Sequence, residues 1–234
     1  MMGLYIGLRT FCCGTSSEEI RVAVRYIAIE GITGVGKTQL AHLLAGRLHA
    51  HLALEDVTEN PFLPLFYEDP QHYGFQTQVF FMLSRYRQQQ ELHQMDLFQT
   101  VVISNFIFER DRIYANVGLN DAEFALYDRL AETLSEKIPR PDLVVYLQDS
   151  IPHLLGRIRA RDRGYERVIS EEYLARLSEA YNHFFFHYTD SPLLVVNVSE
   201  IDFANQLDDL DDLVQQILSP PAGTRYYRPV HVDV

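Results

Sequence analysis

Residues 31–38 read Gly-Ile-Thr-Gly-Val-Gly-Lys-Thr, a full match to G-x-x-x-x-G-K-[ST]. Just before them, Tyr26–Glu30 (YIAIE) is short, apolar and partly β-branched, the pattern of a buried strand. Just after, Thr38–Ala50 places Leu40, Leu43, Leu44 and Leu48 on one helical face. Strand, glycine-rich turn and helix in that order form a cradle for phosphate. The glycines let the backbone of Gly31, Ile32, Thr33, Gly34, Val35 and Gly36 curl with its N–H groups inward. The following helix adds the positive end of its dipole. Lys37 supplies a point charge for the β- and γ-phosphates, and Thr38 a hydroxyl for Mg²⁺. Lys37 is expected to face the phosphate site rather than lie buried. The implied ligand is a nucleoside triphosphate. Switch proteins, motor-type ATPases and small-molecule kinases all share such a loop, so the rest of the chain must name the reaction.

Apolar and amphipathic runs alternate outward from this loop. Further strands are predicted at Leu52–Glu55, Thr100–Ser104, Leu143–Leu147 and Leu193–Val198. Pro61–Glu68 reads as a short aromatic helix or turn, and Phe75–Leu97 as a long helix. Asn120 with Glu123 resembles a capping box opening a helix that runs through Lys137. Ser150, with Pro152 in the first turn, and Ser170 cap two more. The second of these carries a stripe of Tyr173, Leu174, Leu177, Tyr181 and Phe184. Phe203, Leu207, Leu210, Leu213 and Ile217 line a last helix. Five strands separated by helices imply a doubly wound α/β domain with a parallel sheet covered on both faces. The domain should span residues 25–218, with an N-terminal extension at 1–24 and a proline-rich C-terminal tail at 219–234.

The chain has 234 residues, a formal net charge of -12 and a sequence pI near 5.1. Such a surface repels nucleic acid and anionic membranes unless a local basic patch intervenes, so neither is expected as a partner. Cys12 and Cys13 are the only cysteines, which fits a reducing, cytoplasmic setting. No apolar run approaches the roughly 20 residues of a membrane span.

Glu55 closes the second predicted strand and should lie at the carboxyl edge of the sheet, where open α/β folds bind ligands. A carboxylate there can take a proton from an attacking hydroxyl, although a solvated strand-end acid fits the position equally. Arg157, Arg161 and Arg163 lie in RIRARDRGYE, with Arg157 and Arg161 on one helical face. Like charges so placed call for an anion, and in phosphoryl transfer such arginines neutralise the moving group.

Taken together, several segments resemble the deoxynucleoside kinase family. They are GITGVGKT, ENPFL with FYEDP, FQTQVFFMLSRYR, IFERDRIYA, PDLVVYL, RIRARDRGYE, EEYLARL and SPLLVV. They cover roughly residues 26–198 in the family's order. The resemblance implies a P-loop kinase fold with a five-stranded sheet ordered 2-3-1-4-5, a short arginine-rich lid and usually a homodimer. It implies transfer of the γ-phosphoryl group of ATP, with Mg²⁺, to the 5′-hydroxyl of a deoxyribonucleoside. Glu55 falls at the family's general base. Tyr67 and Glu166 fall where it binds the sugar 3′-hydroxyl, and Gln78 and Arg85 where it holds the base. Arg157, Arg161 and Arg163 match its lid.

One segment departs from the pattern. Most members carry an acid, an arginine and a serine after the third strand, where this chain has Ser104, Asn105 and Phe106. The acid helps hold Mg²⁺, so Thr38 and the neutral Asn105 become the candidate metal residues, and an amide is the weaker ligand. The alternative is that Asn105 caps the IFERDRIYA helix. Arg110 or Arg112 stands in for the missing arginine. Two other readings stay open on residues alone: another small-molecule or nucleoside monophosphate kinase, and a nucleotide-binding protein of weakened activity.

Overall fold

The computed structural model describes residues 24–94, 101–199, 201 and 207–228. All but Val24 of the expected N-terminal extension lies outside the described residues, as do Leu97, Thr100 and Phe203. Among those described, six parallel strands form one sheet in the order β2-β3-β1-β4-β5-β6. They are β1 (Tyr26–Glu30), β2 (His51–Ala53), β3 (Val102–Ser104), β4 (Leu143–Gln148), β5 (Leu193–Asn197) and β6 (Thr224–Tyr227). The helices are α1 (Lys37–Leu48), α2 (Leu63–Glu68), α3 (Pro70–Gln94), α4 (Arg110–Gly118), α5 (Asp121–Ser135), α6 (Ile151–Arg161), α7 (Glu171–Phe186) and α8 (Leu207–Leu218).

The first five strands take the expected order, and β6 corrects the count. It lies in the stretch read as a tail and pairs with β5 from Leu193↔Thr224 to Val196↔Tyr227. Its sequence, TRYY, alternates exposed and half-buried positions because it is an edge strand, so it lacks the apolar run that announces a buried one. Similarly, β2 stops at Ala53, leaving Glu55 on the loop beyond it.

The central strands bury every residue from Ile27 to Ile29 and from Leu143 to Leu147, as a sheet covered on both faces requires. Against it pack Leu40, Ala41 and Leu44 of α1 and Leu174, Leu177, Tyr181 and Phe185 of α7. Phe185, rather than Phe184, completes the α7 stripe; Phe184 is only half-buried. A smaller cluster of Met82, Phe108, Ala115, Tyr127 and Ala131 joins α3, α4 and α5. The capping box at Asn120 and Glu123 forms as expected, and Ser170 caps α7 through the Tyr173 N–H. Ser150 precedes α6 without a side-chain cap bond.

Register decides where the chemistry sits. Ala28 of β1 pairs with Ser104 of β3, which pairs with Ala53 of β2. The chain builds β2 and β3 on one side of β1, then crosses to β4, β5 and β6 on the other. The turns after β1, β2 and β3 therefore open into one crevice at the carboxyl edge, the ligand position of open α/β sheets. No helix among the described residues is long and apolar enough to cross a membrane.

Candidate active site

The phosphate loop is anchored at its start by Glu30, whose fully buried carboxylate accepts the Gly31 N–H at 2.9 Å, the Ile107 N–H at 3.0 Å and the Tyr181 hydroxyl at 3.4 Å. Sequence reading missed this acid, which looks like an ordinary strand end. Gly31 has φ 145, and a Cβ there would stand 2.6 Å from the Leu147 carbonyl oxygen, so only glycine fits. Gly36 caps α1 at φ 102 without any side-chain bond, leaving the first N–H groups of the helix for an anion. Lys37 is not exposed as expected. It is buried, and its Nζ donates to the carbonyls of Gly31 at 2.6 Å and Ile32 at 3.0 Å. Burial, then the Arg110 charge, presses its ammonium down to about 7.

Across the crevice, Glu55 is gripped by two arginines. Its Oε1 accepts from Arg85 Nη2 at 2.5 Å and its Oε2 from Arg110 Nη1 at 2.7 Å. Burial alone would push the Glu55 carboxyl up; Arg110, then Arg85 and Lys37, outweigh it and hold it at about 2. Arg85 also donates two 2.8 Å bonds to Asp111, from Nε and Nη2. The sequence singled out Arg85 and missed Asp111, although the acid stands beside Arg110 in ERDR. Arg110, not Arg112, lines the cavity: Arg112 pairs with Asp128 at 2.6 Å on the surface. Phe106 is fully buried, with the Arg85 guanidinium 4.9 Å from its ring centroid.

Asn105 bridges the two sides. Its Oδ1 accepts the Glu55 backbone N–H at 2.9 Å and its Nδ2 donates to Thr38 Oγ1 at 3.0 Å. The alternative reading of Asn105 as a helix cap is corrected, since α4 starts at Arg110 and Glu109 occupies the cap position.

Deeper in, Gln78 is 4% and Arg85 2% exposed, yet Gln78 Oε1 and Arg85 Nη1 have no hydrogen-bond partner among the described residues. An acceptor and a donor so buried call for a polar occupant. Tyr67 stacks on Tyr165, centroids 5.6 Å apart, and burial pushes its phenol well above the usual range, so it remains a neutral hydroxyl.

The lid arginines meet protein partners. Arg161 donates to both oxygens of Glu166 at 2.8 and 2.7 Å and to Thr33 Oγ1 at 3.2 Å. Arg163 stands 3.8 Å from Glu166. Arg157 reaches the Val35 carbonyl and Asp149, each at 3.1 Å. All the side chains proposed from sequence beyond the loop converge on one cavity of about 410 Å³: Glu55, Tyr67, Gln78, Arg85, Asn105, Arg110, Arg157, Arg161, Arg163 and Glu166. Thr33, Gly34, Gly36, Lys37 and Thr38 line it too, while Gly31, Ile32 and Val35 sit behind that wall. Asp111, Tyr114, Tyr165 and Tyr173 also line it without having been foreseen; the tyrosines read as helix-stripe or loop aromatics.

A sequence model described as deoxynucleoside kinase matches residues 27–219. The chain belongs to the deoxynucleoside kinase family. It is 36% identical over 190 residues to deoxyadenosine kinase of Dictyostelium discoideum, an alignment covering 78% of this chain and 76% of that one. It is 33% identical over 158 residues to deoxyguanosine kinase of Bacillus subtilis (strain 168), covering 67% and 76%. The solved structure of deoxyadenosine kinase from M. mycoides with bound dCTP superposes with a TM-score of 0.70 at 25% identity, covering 83% of this chain and 98% of that one. For this deoxynucleoside kinase family member, the match extends over every element from β1 to α8.

Proposed function

We propose that the protein transfers the γ-phosphoryl group of ATP to the 5′-hydroxyl of a deoxyribonucleoside. The observation carrying this reading is the two-ended cavity. The phosphate loop closes one end, the buried, unpartnered Gln78 Oε1 and Arg85 Nη1 lie at the other, and Glu55 stands between. A nucleobase edge offers a donor beside an acceptor, the complement of the Gln78 amide and the Arg85 guanidinium that line this part of the cavity. Tyr67 and Glu166, which line the same cavity, would take the sugar 3′-hydroxyl. For Glu166 this requires Arg161 to release at least one oxygen, which a phosphate would draw it to do.

Glu55, held near 2, is a weak base. Phosphoryl transfer through a loose transition state asks mainly for an aligned nucleophile, with the proton leaving late. Glu55 then orients the hydroxyl and accepts its proton as the new P–O bond forms. Arg110 and the lid arginines Arg157, Arg161 and Arg163, with Lys37, take up the charge on the moving group.

Thr38 is the side chain suited to a metal carried by the nucleotide: it lines the cavity beside Lys37. No group of three or more His, Cys, Asp or Glu side chains among the described residues forms a metal cage. Bound Mg²⁺ would neutralise phosphate charge. A homodimer fits the exposed Leu83 of α3 and Leu126 and Leu130 of the neighbouring α5, and a cytoplasmic location fits a sequence with only two cysteines.

A coupled assay with ATP and each of the four deoxynucleosides tests the reading. Turnover with at least one, and a lower kcat/KM for its ribonucleoside counterpart, is expected. No turnover with any of them would refute it.

A further inference from the structure

Resting on that reaction, the geometry points to Asn105 as a positioning residue. We propose that its amide is a strut holding the acceptor-side loop of Glu55 to the nucleotide-side hydroxyl of Thr38, and that it is not a ligand of the metal.

The argument begins with which atom of the amide does what. A backbone N–H is a donor only, so the atom 2.9 Å from the Glu55 nitrogen must be the amide oxygen. The amide nitrogen is thereby fixed opposite Thr38, where it donates to Oγ1 at 3.0 Å. An amide binds a hard cation through its oxygen and never through its NH₂ group. The oxygen here already serves a backbone donor, and the group facing Thr38 is the one with no affinity for a cation. Asn105 is 5% exposed, so its side chain has little room to turn over, and turning would set Nδ2 against the Glu55 N–H, donor against donor.

The neighbouring carboxylates cannot substitute for it while they keep their partners. Among the lining residues, Glu55 is held by Arg85 and Arg110, Asp111 by Arg85 and Glu166 by Arg161. Each is neutralised by a guanidinium that a metal would have to displace. The protein thus offers the metal one neutral oxygen, Thr38 Oγ1, and the nucleotide brings the rest of the shell. The strut explains why an amide stands at this place. It needs an acceptor on one side and a donor on the other, 50 residues from Glu55 and 67 from Thr38 in sequence, and Asn carries both. It fixes the span from the hydroxyl acceptor to the phosphate cradle, and reaction rate is sensitive to such spans at the ångström level.

Mn²⁺ replaces Mg²⁺ as the probe. Affinities for ATP alone and for Mn²⁺·ATP are measured by titration calorimetry on the full chain and on Asn105→Ala. The gain in affinity conferred by the metal is expected to stay within about twofold of wild type, while kcat falls roughly tenfold or more and KM for ATP hardly moves. Asn105→Asp, which keeps an oxygen for the Glu55 N–H and lets Thr38 donate instead, is expected to recover most of that kcat. A metal-conferred gain that drops tenfold in Asn105→Ala, or an unchanged kcat, would overturn the proposal.

Should Asn105→Ala not fold, water-proton relaxation of Mn²⁺·ATP on the wild-type protein decides alone. With two phosphate oxygens and Thr38 bound, about three of the six octahedral positions retain water. Two or fewer would mean that a further side chain ligates. Failure of the wild type to phosphorylate any deoxynucleoside would refute the reaction. The calorimetric and relaxation results depend on nucleotide binding only and would still decide the role of Asn105.

Discussion

Arg110→Ala removes one of the two guanidinium groups that grip Glu55, and its consequences follow from the geometry of the site. Arg110 lies 2.7 Å from Glu55 Oε2, is 9% exposed, and lowers the Glu55 carboxyl more than any other charge. The fall from an ordinary 4.5 to about 2 amounts to about 3 kcal/mol in favour of the carboxylate, at about 1.4 kcal/mol per pH unit. Without Arg110, the Glu55 carboxyl should rise towards its ordinary value, with only Arg85 and Lys37 left to oppose burial. The sign for stability follows. A carboxyl whose folded value is depressed stabilises fully above pH 4.5 and loses that contribution as pH falls towards 2. The variant should therefore be less stable than wild type everywhere above pH 4.5, and the difference should close as pH falls towards 2. At neutral pH the loss should be about 1–2 kcal/mol, less than for a wholly broken buried pair because Arg85 remains. Activity should suffer more: losing one charge partner of the transferring group typically costs ~10²–10³ in kcat. The assay is kcat and kcat/KM against pH, beside urea melts, with Arg112→Ala as the control that should keep wild-type kinetics. A near wild-type kcat together with an unmoved acid limb would refute the reasoning, because Arg110 would then be only a structural partner.

Lys37→Ala should lose tight ATP binding while melting close to wild type, since Nζ serves only two loop carbonyls; unchanged affinity would sink the loop assignment. Because burial and the Arg110 charge hold Lys37 at about 7, it is about nine-tenths neutral at pH 8, and bound phosphate should restore its charge. ATP binding at pH 8 should then take up close to one proton, read as a dependence of the calorimetric enthalpy on buffer ionisation, and Lys37→Ala should abolish that dependence. Glu55→Gln should bind deoxynucleoside but lower kcat by roughly 10²-fold or more; near wild-type kcat would leave Glu55 a mere loop acid.

How much of this was legible in the sequence depended on whether the signal was local. The phosphate loop was, because consecutive residues make it and the flanking strand and helix carry their own periodicities. The capping box at Asn120 was legible for the same reason. What escaped notice was decided by contacts far along the chain. Asp111 gains its role from Arg85, 26 residues away, and Glu30 from Ile107 and Tyr181. Neither spacing corresponds to a helix or strand period. Lys37 was misjudged as exposed because the motif specifies its type but not that its Nζ turns onto the carbonyls of Gly31 and Ile32. Strand β6 was missed because pairing on one side leaves half of its residues wet. Resemblance to the family supplied Gln78 and Arg85, which periodicity alone would have left on a helix surface.

The distribution of charge along the cavity bears on which acceptor it takes. The chain as a whole is strongly acidic, yet among the lining residues six cationic side chains face three carboxylates, so the positive potential is concentrated where a triphosphate would lie. Within the cavity the excess is uneven. Arg85 and Arg110 are both committed to Glu55, and Arg85 to Asp111 as well, so the acceptor end is close to neutral overall. Among the described residues, Arg157, Arg161 and Arg163 form ion pairs with two carboxylates, Glu166 and Asp149, and Lys37 hydrogen-bonds to carbonyl oxygens. The surplus lies on the side of the loop and lid. A nucleoside monophosphate acceptor would bring about two negative charges to the neutral end, and binding it would require breaking buried ion pairs whose carboxylates would then be left unpaired at several kcal/mol each. An uncharged nucleoside requires only hydrogen bonds with side chains already lining the cavity, Gln78 among them. The paired arginines thus select against a phosphorylated acceptor, and the same pairs hold Glu55 where an incoming hydroxyl needs it.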